Sequence, residues 1–333
     1  RGSAMALWGS VAGVATLVGP IFGGVLVDGL GWEWIFFINV PVGIVGFILA
    51  WRFVPVLKTH PHKFDILGVI LSAIGLFCIV FGIQEGESYD WGTIVGPLTV
   101  WSLIIFGIVI LAAFVFWQAK NRGEPLLPLK LFRDRNFSIA NFAITTMCFV
   151  ITAMVLPIML YAQNVRALSP TQAALLLVPM AVLTGALSPV IGRIVDRVHP
   201  RYITIFGFVC LAVALFWLSS TMTPTVEIWM LLLPIALLGI ANAFIWVPLS
   251  TTATRNLNPH LAGAGSGVYN TTRQLGAVLG SAGIAALMQA RLIAELPSGG
   301  PDGLSGAQVI GVLPEPLQLG FSTAMAQSML LPA

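Results

Sequence analysis

The sequence predicts an all-α polytopic membrane protein, and three observations lead to that prediction. Of its 333 residues, 57% are hydrophobic and 9% are charged, and the mean hydropathy is +0.94. A soluble domain carries about a quarter charged residues, so the lipid bilayer is the expected solvent. Nine apolar stretches are long enough, at about 20 residues, to cross the hydrocarbon. The Lys and Arg residues gather on one side of these stretches.

The nine stretches give the predicted element order. They cover residues 4–27, 34–54, 65–84, 97–117, 137–163, 171–192, 202–220, 228–251 and 263–290. A tenth begins near Gly320 and reaches Ala333 before it is long enough to cross. We therefore expect the sequence to be part of a longer protein.

The positive residues predict the orientation, because loops rich in Lys and Arg stay in the cytoplasm. If the first stretch starts in the cytoplasm, Arg166 and Arg291 lie outside and Arg273 lies within the membrane. All the others fall on the cytoplasmic side: Arg1, Arg52, Lys58, Lys63, Lys120, Arg122, Lys130, Arg133, Arg135, Arg193, Arg197, Arg201 and Arg255. This asymmetry sets the predicted topology.

The connections carry less information. The basic one at 120–136 is either an interfacial segment, with its leucines on the membrane and its cations near anionic lipid, or an ordinary charged loop. The outer one at 291–319 is rich in Gly and Pro and is expected to be partly disordered. Cys78, Cys148 and Cys210 lie singly in separate stretches, so we predict no metal site, disulfide or cofactor. The net charge of +3 gives no sign of nucleic-acid binding.

Arg273 is the one charged residue well inside a stretch, and an ionisable group at membrane depth is a functional candidate. Two interpretations stay open. Arg273 faces a central cavity and meets substrate or a titrating carboxylate, or it forms a fixed salt bridge between helices. No Asp or Glu lies in the middle of a stretch, so a proton-carrying carboxylate is expected outside this sequence.

Neutral polar residues mark the candidate cavity wall. Asn270 and Gln274 are preferred because they stand four apart, one turn along a helix, and flank Arg273. The further candidates are Asn39, Asn242 and Trp246. Most other polar residues in the stretches, such as Asn141 and Thr145, are expected to hydrogen-bond neighbouring helices.

Small residues recur every four positions in the first stretch, at Ala15, Gly19 and Gly23. They form a strip on one helix face that lets another helix approach closely. Pro20 bends the helix within this strip. The strip is therefore expected to seal an interface and to act as a bending point.

The segment GSVAGVATLVGPIFGG, residues 9–24, resembles the antiporter motif of major facilitator superfamily exporters. Gly19, Pro20, Gly23 and Gly24 match it, while Ala15 replaces a common glycine. The segments WEWIFFINVPVG, PLLPLKLFRDRNF, NTTRQLGAVLG and GFSTAMAQSMLLPA are similar, in order, to later segments of the fourteen-helix drug:proton antiporter branch of EmrB/QacA type. The resemblance covers the whole chain.

The resemblance implies helices five to thirteen and the start of fourteen of a major facilitator fold. Residues 1–54 would be the last two helices of the N-terminal bundle, 55–136 a linker with two central extra helices and the basic loop, and 137–333 a truncated C-terminal bundle. The segment GRIVDRVHPR is similar to the family's gating pattern. In this gating loop, which begins at Gly192, Asp196 would pair with Arg193 and Arg197 and hold the cytoplasmic side closed in the outward-open state. The alternative is an ordinary positive loop with an incidental carboxylate.

The expected function is therefore proton-coupled efflux of drugs or other small amphipathic compounds by alternating access, in the cytoplasmic membrane of a bacterium. The alternatives are a major facilitator transporter for another solute and a membrane scaffold or sensor. No phosphate-binding loop or nucleophile constellation indicates an enzyme. The expected partners are a small-molecule substrate, protons and the bilayer, and the protein is expected to be a monomer.

Overall fold

The computed structural model describes residues 19, 22–27, 29–53, 65–86, 89, 91–121, 125–195, 197–255, 262–296 and 313–333. Residues 22–27 belong to a helix, α1. The other elements are α2 (Trp34–Phe37), α3 (Asn39–Phe53), α4 (Ile66–Gln84), β1 (Thr93–Val95), β2 (Leu98–Thr99), α5 (Val100–Lys120), α6 (Arg135–Leu160), α7 (Pro170–Leu175), α8 (Val178–Val195), α9 (Pro200–Thr221), α10 (Ile228–Arg255), α11 (Ala262–Glu295) and α12 (Glu315–Ser328). A 3₁₀ turn, Leu129–Arg133, precedes α6, and a π-helical turn, Tyr161–Val165, follows it.

Eight helical segments in the described ranges are long and apolar enough to cross a membrane, which confirms the predicted all-α polytopic class. They are Trp34–Phe53, Ile66–Gln84, Val100–Lys120, Arg135–Val165, Pro170–Val195, Pro200–Thr221, Ile228–Ala253 and Gly263–Glu295. Each coincides with one of the predicted stretches from 34–54 onward. The first predicted stretch, 4–27, lies mostly outside the described residues.

A short antiparallel hairpin, which was not predicted from the sequence, precedes α5. β1 pairs with β2 through a turn at Gly96, whose φ of +56° suits glycine. α5 then begins at Val100 because Thr99 and Ser102 form a capping box: the Ser102 amide donates to the Thr99 hydroxyl, and the Thr99 amide donates to the Ser102 hydroxyl. The predicted start near Pro97 is therefore three residues early.

Glycines bring α4 and α5 into close contact. A Cβ on Gly107 would lie 2.8 Å from the carbonyl oxygen of Gly75. A Cβ on Gly75 would lie equally close to the Leu111 side chain. The two helices therefore pack as a pair with their backbones close together, and α4 in turn contacts α11.

The later helices form a bundle in which α11 packs along α6, and α10 packs on both α8 and α9. A Cβ on Gly276 of α11 would overlap the carbonyl oxygen of Thr145 on α6. Four residues on, a Cβ on Gly280 would overlap the carbonyl oxygen of Phe149. This small residue pair, one turn apart, sets the distance between α6 and α11.

The segment Pro170–Val195 crosses as two helices rather than one. α7 ends at Leu175 and α8 begins at Val178, with Pro179 in the first turn of α8, where its missing N–H costs little. α12 begins at Glu315, five residues before the predicted start, and α11 continues to Glu295. The predicted outer connection at 291–319 is therefore helical at both of its ends.

The π-helical turn fastens α6 to the turn between α9 and α10. The Tyr161 hydroxyl donates to the carbonyl oxygen of Thr223 at 2.5 Å. The Arg166 guanidinium donates to the carbonyl oxygen of Pro224. These bonds join three helices on the predicted outer side of the bundle.

Candidate functional site

Arg273 of α11 is half-buried and lies against α10. Its guanidinium carbon is 5.7 Å from the centroid of the Trp246 ring, which is a cation–π contact. Such a contact stabilises by about 0.5–2 kcal/mol. An arginine at the centre of a membrane helix costs about 2.5–3.5 kcal/mol on insertion scales. The ring alone therefore offsets only part of the cost of placing this charge at membrane depth.

The structure bears on the two interpretations of Arg273. Within the described ranges, the contact of its guanidinium is with an aromatic ring rather than with a carboxylate. A fixed ion pair therefore does not hold Arg273 in this part of the chain.

A polar contact orients Arg273. The hydroxyl of Thr272, the preceding residue, donates to the Asn141 side chain of α6 at 2.8 Å. The Thr145 hydroxyl donates to the Thr272 carbonyl oxygen at 3.1 Å. Because successive helix residues are turned by about 100°, holding Thr272 against α6 directs Arg273 towards α10. Asn141 and Thr145 thus make the interhelical hydrogen bonds expected of them.

Asn270 and Gln274 are both exposed on α11. The Asn270 side chain donates to the Ser266 carbonyl oxygen, one turn earlier, at 3.0 Å. The two side chains therefore form a polar strip on the surface of the bundle, beside the half-buried Arg273.

The other two asparagines lie apart from this strip. Asn242 is one turn before Trp246 on α10 and is buried, with its amide donating to the Leu238 carbonyl oxygen at 3.3 Å. Asn39 is exposed and donates to the Ile35 carbonyl oxygen at 3.0 Å. Its helix, α3, contains no buried residue. The structure brings Trp246 and Arg273 together, and it places Asn39 on a separate surface.

The glycine motif makes its closest contact at its last member. Gly24 is buried, and a Cβ there would lie 2.8 Å from the Thr171 Cα at the start of α7. A Cβ on Gly19 or Gly23 would meet no described atom within 4 Å. Pro20 lies outside the described residues. Among the described residues of α1, Gly24 therefore lies close to the start of α7.

The predicted gating loop follows α8. Gly192 lies in the last turn of α8, and a Cβ there would meet no described atom within 4 Å. Arg193 and Arg197 are exposed. Asp196, the predicted partner of these arginines, lies outside the described residues, so the charge pairs stay a prediction.

A groove of about 1160 Å³ lies between α6 and α9. Its lining includes Arg135, Ile139, His199, Arg201, Phe208 and Leu249. Ile205 and Ala212 also line it, and Ser219 continues the same face of α9 at the same spacing of seven residues. There the Ser219 hydroxyl donates to the carbonyl oxygen of Ala326 in α12 at 2.6 Å. The groove therefore lies along the same face of α9 that contacts α12. Arg273 is not among the residues that line this groove.

Asp65 is the residue that sequence reasoning missed. It appears in the sequence only as a charge at the end of a stretch, whereas its carboxylate accepts hydrogen bonds from α4, α5 and the segment after α5. Its side-chain partners lie more than 50 residues away in sequence. No local pattern could have identified them.

Comparisons with known proteins identify related sequences. The sequence profile of the family described as Major Facilitator Superfamily matches residues 1–281. The chain is 53% identical over 337 residues to an uncharacterized MFS-type transporter of Mycobacterium tuberculosis, covering 100% of this chain and 57% of that protein. It is 32% identical over 323 residues to the lincomycin resistance protein LmrB of Listeria monocytogenes, covering 96% of this chain and 67% of that protein. It is 30% identical over 285 residues to the multidrug export protein EmrB of Escherichia coli, covering 84% of this chain and 54% of that protein. The chain thus spans little more than half the length of two of these relatives.

Proposed function

The chain belongs to the Major Facilitator Superfamily, and from this premise we propose that the full-length protein is a proton-driven exporter of small amphipathic compounds. It exports them across the cytoplasmic membrane of a bacterium, and it works by alternating access between two bundles. Its partners are the transported compound, protons and the lipid bilayer, and it acts as a monomer without a cofactor.

The observation that carries the proposal is the environment of Arg273. A cation at membrane depth, held against Trp246 and free of a carboxylate in the described chain, is available to a changing partner. A transporter needs such a partner change, because its site must bind its ligand on one side of the membrane and release it on the other. The exposed strip of Asn270 and Gln274 adds polar groups beside it.

Two further observations favour export. LmrB is named for lincomycin resistance and EmrB for multidrug export. Both align with most of the length of this chain. The motif at Gly19, Pro20, Gly23 and Gly24 is the one that resembles exporters. The close approach of Gly24 to Thr171 supports the idea that α1 seals against the later helices.

The assignment of parts follows from the same proposal. Residues 1–54 end the N-terminal bundle, 55–136 hold the two extra helices, and 137–333 form the C-terminal bundle. Gly192, Arg193, Asp196 and Arg197 form the gate on the cytoplasmic side.

The experiment uses the full-length protein in proteoliposomes with an imposed pH gradient. We expect ethidium, or another member of a panel that includes neutral and anionic amphipathic compounds, to move only while the gradient exists. An ionophore that collapses the gradient is the control. The absence of gradient-dependent movement for every compound would overturn the proposal.

A further inference from the structure

Asp65 immediately precedes α4 and lies beside the last turn of α5. One carboxylate oxygen accepts from the Gly68 amide at 3.0 Å and from the Trp117 indole at 2.9 Å. The other accepts from the Gln118 side chain at 2.7 Å and, more weakly, from the Leu126 amide at 3.5 Å. The bond to Gly68 caps the start of α4. The bonds to Trp117 and Gln118 reach the last turn of α5.

Gln118 extends this network into the segment that follows α5. It is 3% exposed, and its side-chain oxygen accepts from the Leu127 amide at 3.0 Å. A backbone amide can only donate, so the oxygen of Gln118 must face Leu127 and its NH₂ group must face Asp65. The oxygen and the NH₂ group of the Gln118 side chain therefore both form hydrogen bonds.

The segment 125–134 is fixed at its other end by apolar contacts with α11. Leu131 and Phe137 form a buried cluster with Val268 of α11, and Leu127 and Ala264 pack against it. Leu127 and Leu131 of this segment thus pack towards α11, whereas Leu126 is exposed. Val268 lies five residues before Arg273.

We propose that Asp65 is a positioning residue that fastens the α4–α5 pair to α11 through segment 125–134, so that the two extra helices move as one body with the helix that carries Arg273. The hydrogen bonds set the position of the segment on the pair, and the Leu131 cluster sets its position on α11. The direct contact between α4 and α11 adds to the same connection.

Two variants test the network, one that breaks its hydrogen-bond pattern and one that restores it. In Asp65→Asn, one acceptor becomes an NH₂ group that faces either the NH₂ of Gln118 or the donors of Gly68 and Trp117. Adding Gln118→Glu restores an acceptor for the new NH₂ group and still leaves an oxygen for Leu127. The double variant also restores the negative charge of the network.

The measurement uses the full-length protein with its native cysteines replaced and spin labels at Lys120→Cys, at the end of α5, and Ser266→Cys on α11, both exposed positions. These labels report the distance between the α4–α5 pair and α11, which the proposal says the Asp65 network holds. Asp134→Asn is the matched control. Among the described residues, the Asp134 side chain accepts from the neighbouring Asn136 and Phe137 amides, and asparagine caps a helix equally well.

We expect a narrow distance distribution in the parent and in Asp134→Asn, loss of the narrow peak in Asp65→Asn, and its return in Asp65→Asn with Gln118→Glu. A narrow peak in Asp65→Asn would overturn the proposal. So would a double variant that stays broad while it is folded. The readout requires no transport, so its result is independent of whether the protein exports any compound.

Discussion

Arg273 is the residue whose surroundings say most about function. Its contact with Trp246 offsets part of the cost of a charge in the membrane, and Thr272 keeps it on that side of α11. When the free-energy cost of placing a half-buried cation in the membrane is only partly offset, the cation gains stability by binding an additional polar or anionic partner. This is the property that a binding residue needs and that a purely structural ion pair lacks.

We expect Arg273→Ala to abolish gradient-driven transport and Arg273→Lys to retain part of it, because lysine keeps the charge and the contact with the Trp246 ring but loses the planar fork. Arg291→Ala is the matched control, since Arg291 is exposed at the far end of the same helix. The measurement is the initial rate of ethidium movement in proteoliposomes. Full activity in the alanine variant would show that the charge is dispensable.

The pH response of Asp65 can also be predicted. Burial raises the pKa of its carboxyl group, whereas four hydrogen bonds lower it and prevail. The donors are Trp117, Gly68, Gln118 and Leu126. The pKa is therefore about 2, below its usual value of 3.8. A group with a lowered pKa stabilises the folded state above its unfolded pKa, and that contribution disappears as the pH falls through the folded pKa.

We therefore expect the distance distribution between labels at Lys120 and Ser266 to stay unchanged between about pH 8 and pH 5. Samples equilibrated across this range provide the measurement. Broadening within this range would mean that Asp65 takes up a proton there. The lowered pKa keeps the Asp65 carboxylate ionised across this range, as its role as a hydrogen-bond acceptor requires.

At the level of whole elements, hydropathy and length predicted the membrane helices to within a few residues. The stretch at 228–251, for example, corresponds to Ile228–Ala253, because the bilayer fixes the required length. The hairpin before α5 was missed because its two strands, Thr93–Val95 and Leu98–Thr99, are short and are followed by an apolar run. The break between α7 and α8 was missed because hydropathy is continuous across it.

The close approach of α6 and α11 gives a prediction about stability. We expect Gly276→Ala to lower the thermal midpoint, because its Cβ would overlap the Thr145 carbonyl oxygen and force the helices apart, at a cost of about 1–3 kcal/mol. Gly283→Ala is the matched control, since its nearest contacts, at 3.7 Å, are ordinary van der Waals distances. Tryptophan fluorescence during heating of the purified full-length protein provides the measurement. Equal midpoints for the two variants would contradict the argument.

At the level of the whole molecule, the contact between α1 and α7 joins the start of the chain to the later bundle. Its basis is the missing side chain of Gly24, next to Thr171. The sequence predicted a close-packing surface on α1 but could not name its partner, which lies about 150 residues away. Similarly, Arg273 and Trp246 were both candidates, but their pairing depends on how α10 and α11 pack.

We expect Gly24→Val to slow transport strongly, since its side chain would separate α1 from α7 or hold the two in one arrangement. Gly29→Val, at a position where a Cβ meets no described atom within 4 Å, is the control. Ethidium movement at equal amounts of reconstituted protein provides the measurement. Equal rates for the two variants would show that the contact at Gly24 has no part in the transport cycle.

The hydrogen-bond network of Asp65 also has a consequence for the synthesis and membrane insertion of the protein. α5 ends at Lys120 and α11 begins at Ala262, so at a synthesis rate of about 5–20 residues per second the extra pair waits roughly 7–30 seconds for α11 to leave the ribosome. Among the described residues, the side-chain hydrogen-bond partners of Asp65 and Gln118 lie between residues 65 and 127, so they are made soon after α5 and well before α11. The surface that later meets α11 includes the apolar Leu127 and Leu131, and lipid tolerates such a face. The hydrogen bonds of Asp65 and Gln118 can therefore form in the bilayer before α11 is made.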